Sequence, residues 1–381
     1  MIDGYLGFSA IDWQRHAQST LAQHLRDQER SILRNYLIGA LVQNGGRILY
    51  NQTGRGFTWP VLYKLHDIQG DVGMGVRSFQ PTSQFQTAGL EYRGYHVTDT
   101  ISRGEFLANR GAEAIINIFN GMGERMNDSL SQKLGPMYYV DGAATGNEKG
   151  WHGFETMYGY NGTTNVTAGA SQNTQRSANA ADPTAYADDT YAELDTELGA
   201  YGGSAESGAY WLEGDPSTEY DVWTPPIINY TSTYFGSTAT FEANGRKAIR
   251  YMLTHGARKG GKDKHVSNVV LARNLWIGFR NALDSKEQIH MTSGMVEWEL
   301  GFGETLKFDG ASITPDTACP INCGYGFNPR NISIRCQTGQ MFEPESEPYS
   351  SIDQSYKFVV SHAGNLQFDN PALFPALKAI A

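Results

Sequence analysis

A glycine-rich stretch at residues 138–159 holds the side chains with the most obvious chemical potential in the sequence. It reads YYVDGAATGNEKGWHGFETMYG, and its titratable residues are Asp141, Glu148, Lys149, His152 and Glu155. Carboxylates, a lysine and a histidine at close spacing are the residue types used in phosphate binding and in general acid–base catalysis. The stretch is therefore either an active site or a structural turn.

The stretch does not follow the pattern of a phosphate-binding loop, G-x-x-x-x-G-K-[ST]. Only three residues separate Gly142 from Gly146, and Lys149 is followed by Gly150. A phosphate loop also follows a strand, whereas this stretch follows a segment with helical periodicity. We therefore predict a junction, in which a glycine-proline pair ends the helix, an aspartate-glycine pair turns the chain, and two further glycines allow close backbone approach. The predicted junction residues are Gly135, Pro136, Asp141, Gly142, Gly150 and Gly153.

The rest of the sequence offers no catalytic or metal-binding constellation. No two of the nine histidines are three or four residues apart, and neither G-x-S-x-G nor H-E-x-x-H occurs. Cys319, Cys323 and Cys336 lack a nearby fourth zinc ligand, so buried, unpaired thiols are expected. The acidic residues 188–221 lack the D-x-[DN]-x-[DN]-G order of a calcium loop. We predict no catalytic residue, no metal and no cofactor.

Composition favours a β-rich chain with many turns. Of the 381 residues, 43 are glycine and 12% are aromatic. The formal net charge of −10 argues against general coating by nucleic acid, so any contact with DNA is restricted to a local patch. No signal peptide is recognised and no apolar run approaches about 18 residues, so we expect a chain that stays in the cytosol and does not enter a membrane.

The first element of the fold that must position these residues is a predicted helix at residues 12–43. Its apolar residues recur at spacings of three and four, and its opposite face is basic. A solvated helix surface and a surface that faces an anionic partner both fit this pattern. The basic face consists of Arg15, Arg26, Arg30 and Arg34.

Residues 46–101 predict a projecting hairpin. The flanks RILY and LEYRGYHVTDTI have strand character, and the segment between them is rich in glycine, glutamine and phenylalanine. A free-standing hairpin cannot bury its own apolar side chains, so we expect it to contact a neighbouring subunit. The candidate contact residues are Arg55, Phe57, Trp59, Lys64, Phe79 and Phe85.

A second long helix is predicted at residues 102–135. Ser102 and Glu105 match a capping box, an apolar stripe continues for some thirty residues, and Gly135-Pro136 ends the helix. Further on, a helix is predicted at 244–258, a strand leading into a helix at 266–283, and strands in NISIRCQ and YKFVVSHAGNLQFDNP.

The charge changes sign abruptly in the second half of the chain. Residues 177–245 contain twelve acidic residues and no lysine or arginine, whereas residues 246–265 contain seven basic ones. A solvated insertion beside a basic loop explains this pattern. A charge-complementary contact between neighbouring subunits is the alternative explanation.

The order of these parts resembles the tailed-phage major capsid proteins of the HK97-like fold. LEYRGYHVTDTISRGEFLANRG resembles the returning strand of that family's E-loop and its spine helix. LSQKLGPMYYVDGAATGNEKGWHGFETM resembles its helix exit and turn, and LKFDGASITPDTACP, NPRNISIRC and FVVSHAGNLQFDNP resemble its later strands. Each motif is short, and the order is the specific feature.

The resemblance implies an α+β HK97-like capsid fold with an N-terminal arm, an extended E-loop, a P-domain with a long spine helix, and an A-domain. The implied parts are residues 1–45 (arm with helix), 46–101 (E-loop hairpin and flanking strands), 102–150 (spine helix and turn), 151–324 (A-domain with acidic insertion), 325–370 (P-domain strands) and 371–381 (C-terminal return to the A-domain).

The resemblance further implies a non-catalytic major capsid protein that forms hexamers and pentamers in an icosahedral shell around phage dsDNA. The implied partners are other copies of the chain, a separate scaffolding protein, a portal protein, a decoration or cement protein, and packaged DNA bound without sequence preference. Assembly is expected in the host cytoplasm. We expect no maturation cleavage, and Lys64 is the only lysine between Asn44 and Tyr95 that is a candidate for a hairpin crosslink.

Two other functions fit the sequence. An encapsulin-type nanocompartment has a shell of the same fold around an enzyme. A β-rich carbohydrate-active enzyme would explain the tryptophan, tyrosine and asparagine content, although the lack of a signal peptide argues against it.

Overall fold

The computed structural model describes residues 37–45, 47–63, 84–104, 122, 125–126, 128–130, 132–158, 184–186, 189–196, 222–284, 305–346 and 354–379. Three helices have both ends within these residues: α1 (Leu37–Asn44), α2 (Phe241–Lys264) and α3 (Arg273–Asp284). The described residues of 122–137 are also helical as far as residue 137.

The strands form two main sheets and two short hairpins. In chain order the strands are β1 (Ile48–Gln52), β2 (Gly56–Leu62), β3 (Phe85–Glu91), β4 (Arg93–Ser102), β5 (Thr184–Tyr186), β6 (Thr190–Tyr191), β7 (Leu194–Asp195), β8 (Pro226–Asn229), β9 (Asn268–Ala272), β10 (Leu306–Phe308), β11 (Ala311–Asp316), β12 (Gly324–Phe327), β13 (Ile332–Gln337), β14 (Glu343–Ser346), β15 (Ser355–Phe368) and β16 (Ala376–Lys378).

A five-stranded sheet is organised around the long strand β15. Its order is β1-β13-β15-β14, and β4 also pairs with β15 in antiparallel register from Ser355↔Ser102 to Gly364↔Arg93. Phe358 and Val360 are buried and alternate with half-buried residues, which is the period of two expected of a strand with one face in the core. β1 joins this sheet by parallel pairing with β13.

A seven-stranded mixed sheet has the order β10-β11-β9-β12-β16-β8-β5. All five residues of β9, NVVLA, are buried, as expected of a central strand that is covered on both faces. Helices α2 and α3 pack against each other and contact strands of this sheet. α2 is kinked at Gly261, whose φ of +58° is accessible to glycine at little cost.

An aromatic core joins the two sheets. Phe154 is fully buried at the start of a short 3₁₀ helix, Phe154–Met157. Its ring centroid lies 5.1 Å from that of Tyr325 in β12 and 4.9 Å from that of Phe368 in β15. The residues that follow the predicted junction therefore lie in the core between the two sheets.

The structure agrees with many of the predicted elements. The helix predicted at 244–258 is α2, the strand and helix predicted at 266–283 are β9 and α3, and NISIRCQ contains β13. All three cysteines are buried, as predicted. Of the described helices, none is long and apolar enough to cross a membrane. Most of the predicted helix at 12–43 and much of that at 102–135 lie outside the described residues.

One predicted helix end needs correction. The helix before the junction continues to residue 137, so Gly135 and Pro136 lie in its last turn. A proline lacks the N–H that would bond to the preceding turn, but its fixed φ is helical, so it can occupy the last turn of a helix. The chain leaves the seven-stranded sheet after β12 and enters the five-stranded sheet at β13.

Candidate functional site

The glycine junction is a place where backbone segments cross in direct contact. A Cβ atom on Gly142 would stand 2.6 Å from the carbonyl oxygen of Trp151, and one on Gly153 would stand 2.6 Å from that of Tyr138. A Cβ on Gly150 would lie 3.2 Å from the carbonyl oxygen of Asn147. Backbone atoms cannot move aside as the end of a flexible side chain can. Positions 142 and 153 therefore require glycine, because there is no room for a Cβ atom.

Arg93, the first residue of β4, holds the loop of the junction. The two hydrogens of its Nη1 face three carbonyl oxygens, those of Gly142 at 2.6 Å, Gly150 at 2.7 Å and Asn147 at 3.2 Å, so the longest contact shares a hydrogen with another. Partial burial lowers the pKa of Arg93, but an arginine retains its charge in any solution in which the protein folds. One guanidinium thus fixes the loop through three backbone oxygens.

Two acids of the stretch, the half-buried Asp141 and the exposed Glu148, stabilise the loop itself. Asp141 accepts a hydrogen bond from the backbone N–H of Ala143 at 2.8 Å, and Glu148 accepts one from that of Gly146 at 2.9 Å. Burial raises the pKa of Asp141, while hydrogen bonding lowers the pKa of Glu148. These are the local contacts by which acidic side chains stabilise turns.

His152 is a buried, neutral residue of the same assembly. Its Nε2 lies 3.2 Å from Nη2 of Arg93, and its Nδ1 lies 2.8 Å from Nδ2 of Asn365. The Oδ1 of Asn365 accepts hydrogen bonds from the backbone N–H groups of His152 and Leu366, which assigns the amide nitrogen to the imidazole. Burial, together with the charge of Arg93, lowers the pKa of His152 to about 4. The imidazole is therefore uncharged near neutral pH, and one of its two ring nitrogens accepts a hydrogen bond while the other carries the N–H.

Glu155 forms a buried ion pair with Lys378 of β16. The carboxylate Oε2 lies 2.5 Å from Nζ, and the two side chains are 2% and 1% exposed. The hydroxyl of Tyr325 donates to the other carboxylate oxygen, and Nζ lies 4.8 Å from the ring centroid of Tyr158. This pair joins the segment that follows the junction to the seven-stranded sheet.

The five titratable residues of the opening stretch therefore do not converge on one reaction site. Asp141 and Glu148 stabilise turns, His152 and Glu155 are buried with fixed partners, and Lys149 is exposed on the loop. Two surface cavities of about 570 Å³ lie elsewhere, beside α2 and beside α3. The geometry is that of a structural joint.

The hairpin of β2 and β3 buries part of its predicted contact surface against its own chain. Phe57 and Trp59 are buried against their own chain: the guanidinium of Arg335 lies 4.8 Å from the Phe57 ring centroid, and Nε1 of Trp59 donates to the carbonyl oxygen of Asp369 at 3.3 Å. A neighbouring subunit is thus not needed to cover these two side chains. Strand alternation predicts a buried face but does not reveal which surface covers it, and a contact of these residues with a neighbouring subunit stays a prediction.

Two other hairpin residues remain exposed. Phe85 is 60% exposed and pairs across the hairpin with Leu62, which is 43% exposed. The Arg55 side chain is 89% exposed and lies 3.3 Å from the Glu91 carboxylate. The remaining candidates lie outside the described residues, namely Lys64 and Phe79 of the hairpin and the basic residues Arg15, Arg26, Arg30 and Arg34.

The sequence reasoning missed Arg93, Asn365 and Lys378. Arg93 and Asn365 stand in strands among other polar residues, so nothing in their local pattern distinguishes them. Lys378 did carry a signal, because it is the one charged residue between 371 and 381 in an otherwise apolar segment. A lone charge in such a segment indicates a buried, paired group.

Comparison with solved structures places this architecture among capsid subunits. The chain is similar to a chain of the cyanophage A-1(L) capsid asymmetric unit, with 16% identity, a TM-score of 0.53, and coverage of 89% of this chain and 92% of that one. It is also similar to the capsid of the native GTA particle, with 12% identity, a TM-score of 0.52, and coverage of 90% and 91%. No protein-family model and no curated protein matches the sequence. The chain has the α+β HK97-like capsid fold that the order of its sequence motifs predicted.

Proposed function

We propose that this chain is a structural subunit of a protein shell and that its copies assemble with one another. The observation that carries the proposal is the shared fold with the cyanophage capsid chain, which extends over 89% of this chain and 92% of that one. Because the match covers most of both chains, the similarity extends to the whole subunit architecture and is not limited to one common motif.

The use of the charged residues supports a structural role rather than catalysis. The groups that suggested an active site are occupied in holding the junction, as the ion pair of Glu155 and Lys378 and the contacts of Arg93 illustrate. A shell subunit must keep its conformation when it contacts neighbouring subunits. A buried polar joint between two sheets serves that requirement.

The finer proposal is a phage major capsid protein that forms hexamers and pentamers and encloses dsDNA in an icosahedral shell. The net charge of −10 suits a container that is filled by a motor rather than by attraction to its wall. A separate scaffolding protein, a portal and a decoration protein are the proposed partners, and the host cytoplasm is the proposed place of assembly. The exposed pair of Leu62 and Phe85 supports contact between the hairpin and an adjacent copy.

The test is assembly of the purified chain over a series of concentrations, followed by light scattering and negative-stain microscopy. We expect closed shells or six- and five-membered rings above a threshold concentration. A chain that stays monomeric at every concentration, with and without a candidate scaffolding protein, overturns the proposal. Shells purified from expressing cells that enclose one copurified enzyme favour the nanocompartment alternative, whereas empty shells are expected of a capsid that is filled by a motor.

A further inference from the structure

Helix α3 presents an exposed stripe of mixed character. Arg273, Ile277 and Arg280 follow one another at spacings of four and three, so they lie on one face of the helix. All three are exposed, and the apolar side chain of Ile277 is 51% exposed. The opposite face is in the core, since Leu275 and Phe279 are buried. Ile321, in the turn that follows β11, is 63% exposed, so two large apolar side chains and two arginines are exposed in this region.

A groove runs beside this stripe. The cavity of about 570 Å³ next to α3 is lined by the stripe, by Trp276 and by the end of β11, including Pro315 and Asp316. Within the described residues Asp316 forms no salt bridge with these arginines, and its carboxylate instead accepts hydrogen bonds from the hydroxyl of Tyr139 at 2.7 Å and the backbone N–H of Ala318 at 2.9 Å. The groove therefore has an apolar centre between two basic ends about 10 Å apart along the helix.

The same chain carries a segment with the complementary composition. Residues 206–221, ESGAYWLEGDPSTEYD, contain five acidic residues and no lysine or arginine, and the run Tyr210, Trp211, Leu212 is followed directly by Glu213. An aromatic and aliphatic run flanked by carboxylates matches an apolar groove flanked by guanidinium groups in both charge and polarity.

We propose that the α3 groove binds the acidic, aromatic segment 206–221 of a second copy of this chain. The proposal rests on the proposed shell function. Ile277 and, in the nearby turn, Ile321 are 51% and 63% exposed in the single chain, so one copy leaves the groove open. Each copy has one groove and one segment, which is the head-to-tail arrangement that closes into a ring.

Charge reversal on each side tests the contact. The groove variant is Arg273→Glu with Arg280→Glu, and the segment variant is Glu213→Lys with Asp215→Lys. Each variant alone places like charges together and should raise the concentration needed for assembly about tenfold or more. The matched control is Lys149→Glu with Lys307→Glu, which reverses two exposed lysines outside the groove and should leave that concentration unchanged.

Mixing the two variants identifies the partner as a second copy. In an equimolar mixture, the reversed groove of one variant meets the reversed segment of the other, and the two native partners also meet, so assembly should return to near the wild-type threshold. Rescue only when all four substitutions are in one chain shows a contact within a single copy and overturns the proposal. Unchanged assembly of both single variants overturns it as well.

The experiment separates this inference from the proposed function. Assembly of the wild-type chain tests the function, and the response to charge reversal tests the groove. Circular dichroism and thermal melting of the monomers check that the variants fold. If the groove variant does not fold, Arg273→Gln with Arg280→Gln removes the charges without reversal, and loss of salt-sensitive assembly is then the expected result.

Discussion

The Nη1 of Arg93 donates a hydrogen bond of 2.6 Å to the carbonyl oxygen of Gly142, which joins β4 to a loop 49 residues later in the chain. Because the same guanidinium also binds Gly150, it determines the path of the loop between the two glycines. The loop carries the exposed Lys149, which makes its mobility measurable by proteolysis.

Replacing Arg93 by alanine should release this loop. Loss of the charged donor removes the hydrogen bonds to the carbonyl oxygens of Gly142 and Gly150, and we expect the free energy of unfolding to fall by about 2–3 kcal/mol. Trypsin should then cleave after Lys149 much faster than in the wild-type chain. Arg55→Ala is the control, since that side chain is 89% exposed and its loss should change neither measurement. Equal cleavage rates in all three proteins would show that Arg93 does not hold the loop.

Alanine at Gly153 or Gly142 should destabilise the subunit by about 3 kcal/mol, because each new methyl group would overlap a backbone carbonyl. Urea unfolding of the monomer measures this effect, and assembly should fall with it. Gly104→Ala is the matched control, since nothing lies within 4 Å of the added methyl group there. Lys149→Ala should leave both stability and assembly nearly unchanged. A loss of assembly with Lys149→Ala as complete as with the glycine variants would mean that the loop contacts a neighbour.

The ion pair of Glu155 and Lys378 should show strong coupling. Lys378→Met leaves a buried carboxylate without its cation and should cost about 3–5 kcal/mol. Glu155→Leu should cost a similar amount, whereas the double variant should recover much of the loss because no unpaired charge remains. A double-mutant cycle by urea unfolding provides the test. If the two single losses simply add, the pair makes no joint contribution.

Acid should destabilise the subunit through two buried histidines. Burial lowers the pKa of His362 to about 3 and, with Arg93, lowers that of His152 to about 4, while both have ordinary values near 6.5 when unfolded. The unfolded chain therefore binds more protons as pH falls below about 6.5, and stability is lost from there down through the folded-state pKa values. By pH 5 each histidine should have cost about 2 kcal/mol.

His362 allows this pH effect to be isolated. Its imidazole is stacked on Phe342 at 4.6 Å between ring centroids, and neither ring nitrogen has a hydrogen-bond partner among the described residues. Substitution by phenylalanine preserves the stacking and removes the titration, so the loss of stability between pH 7 and pH 5 should shrink by about 2 kcal/mol. His96→Gln, at an exposed position of β4, serves as the control. An unaltered pH dependence in His362→Phe would assign the acid effect to other groups.

The exposed hairpin pair should act in assembly rather than in folding. Leu62→Ser with Phe85→Ser removes apolar surface that the single chain leaves in water, so monomer stability should hardly change. If a neighbour covers this pair, the concentration needed for assembly should rise about tenfold or more. Gln86→Ser with Thr87→Ser, at exposed positions on the same hairpin, should assemble normally. Normal assembly of the leucine and phenylalanine variant would place the hairpin contact elsewhere.

The order and type of many elements could be predicted because local patterns encode them. The periodicity of α2 and the alternation in β15 are visible in a dozen residues each. The partner of a side chain is not encoded locally, since Glu155 and Lys378 are 223 residues apart and Arg93 meets its carbonyls only through the fold. The same limit explains Phe57: alternation predicts a buried face, but only the three-dimensional structure shows that Arg335 of the same chain covers it.

The parallel pairing of β1 with β13 has a consequence for the order of folding. Ile48 pairs with Ile334, so β1 emerges early in synthesis and must wait for most of the chain before its partner exists. An unpaired strand edge on an incomplete chain can pair with the same strand of another incomplete chain. The yield of native subunits therefore depends on whether residues 332–337 are synthesised before two incomplete chains pair through β1.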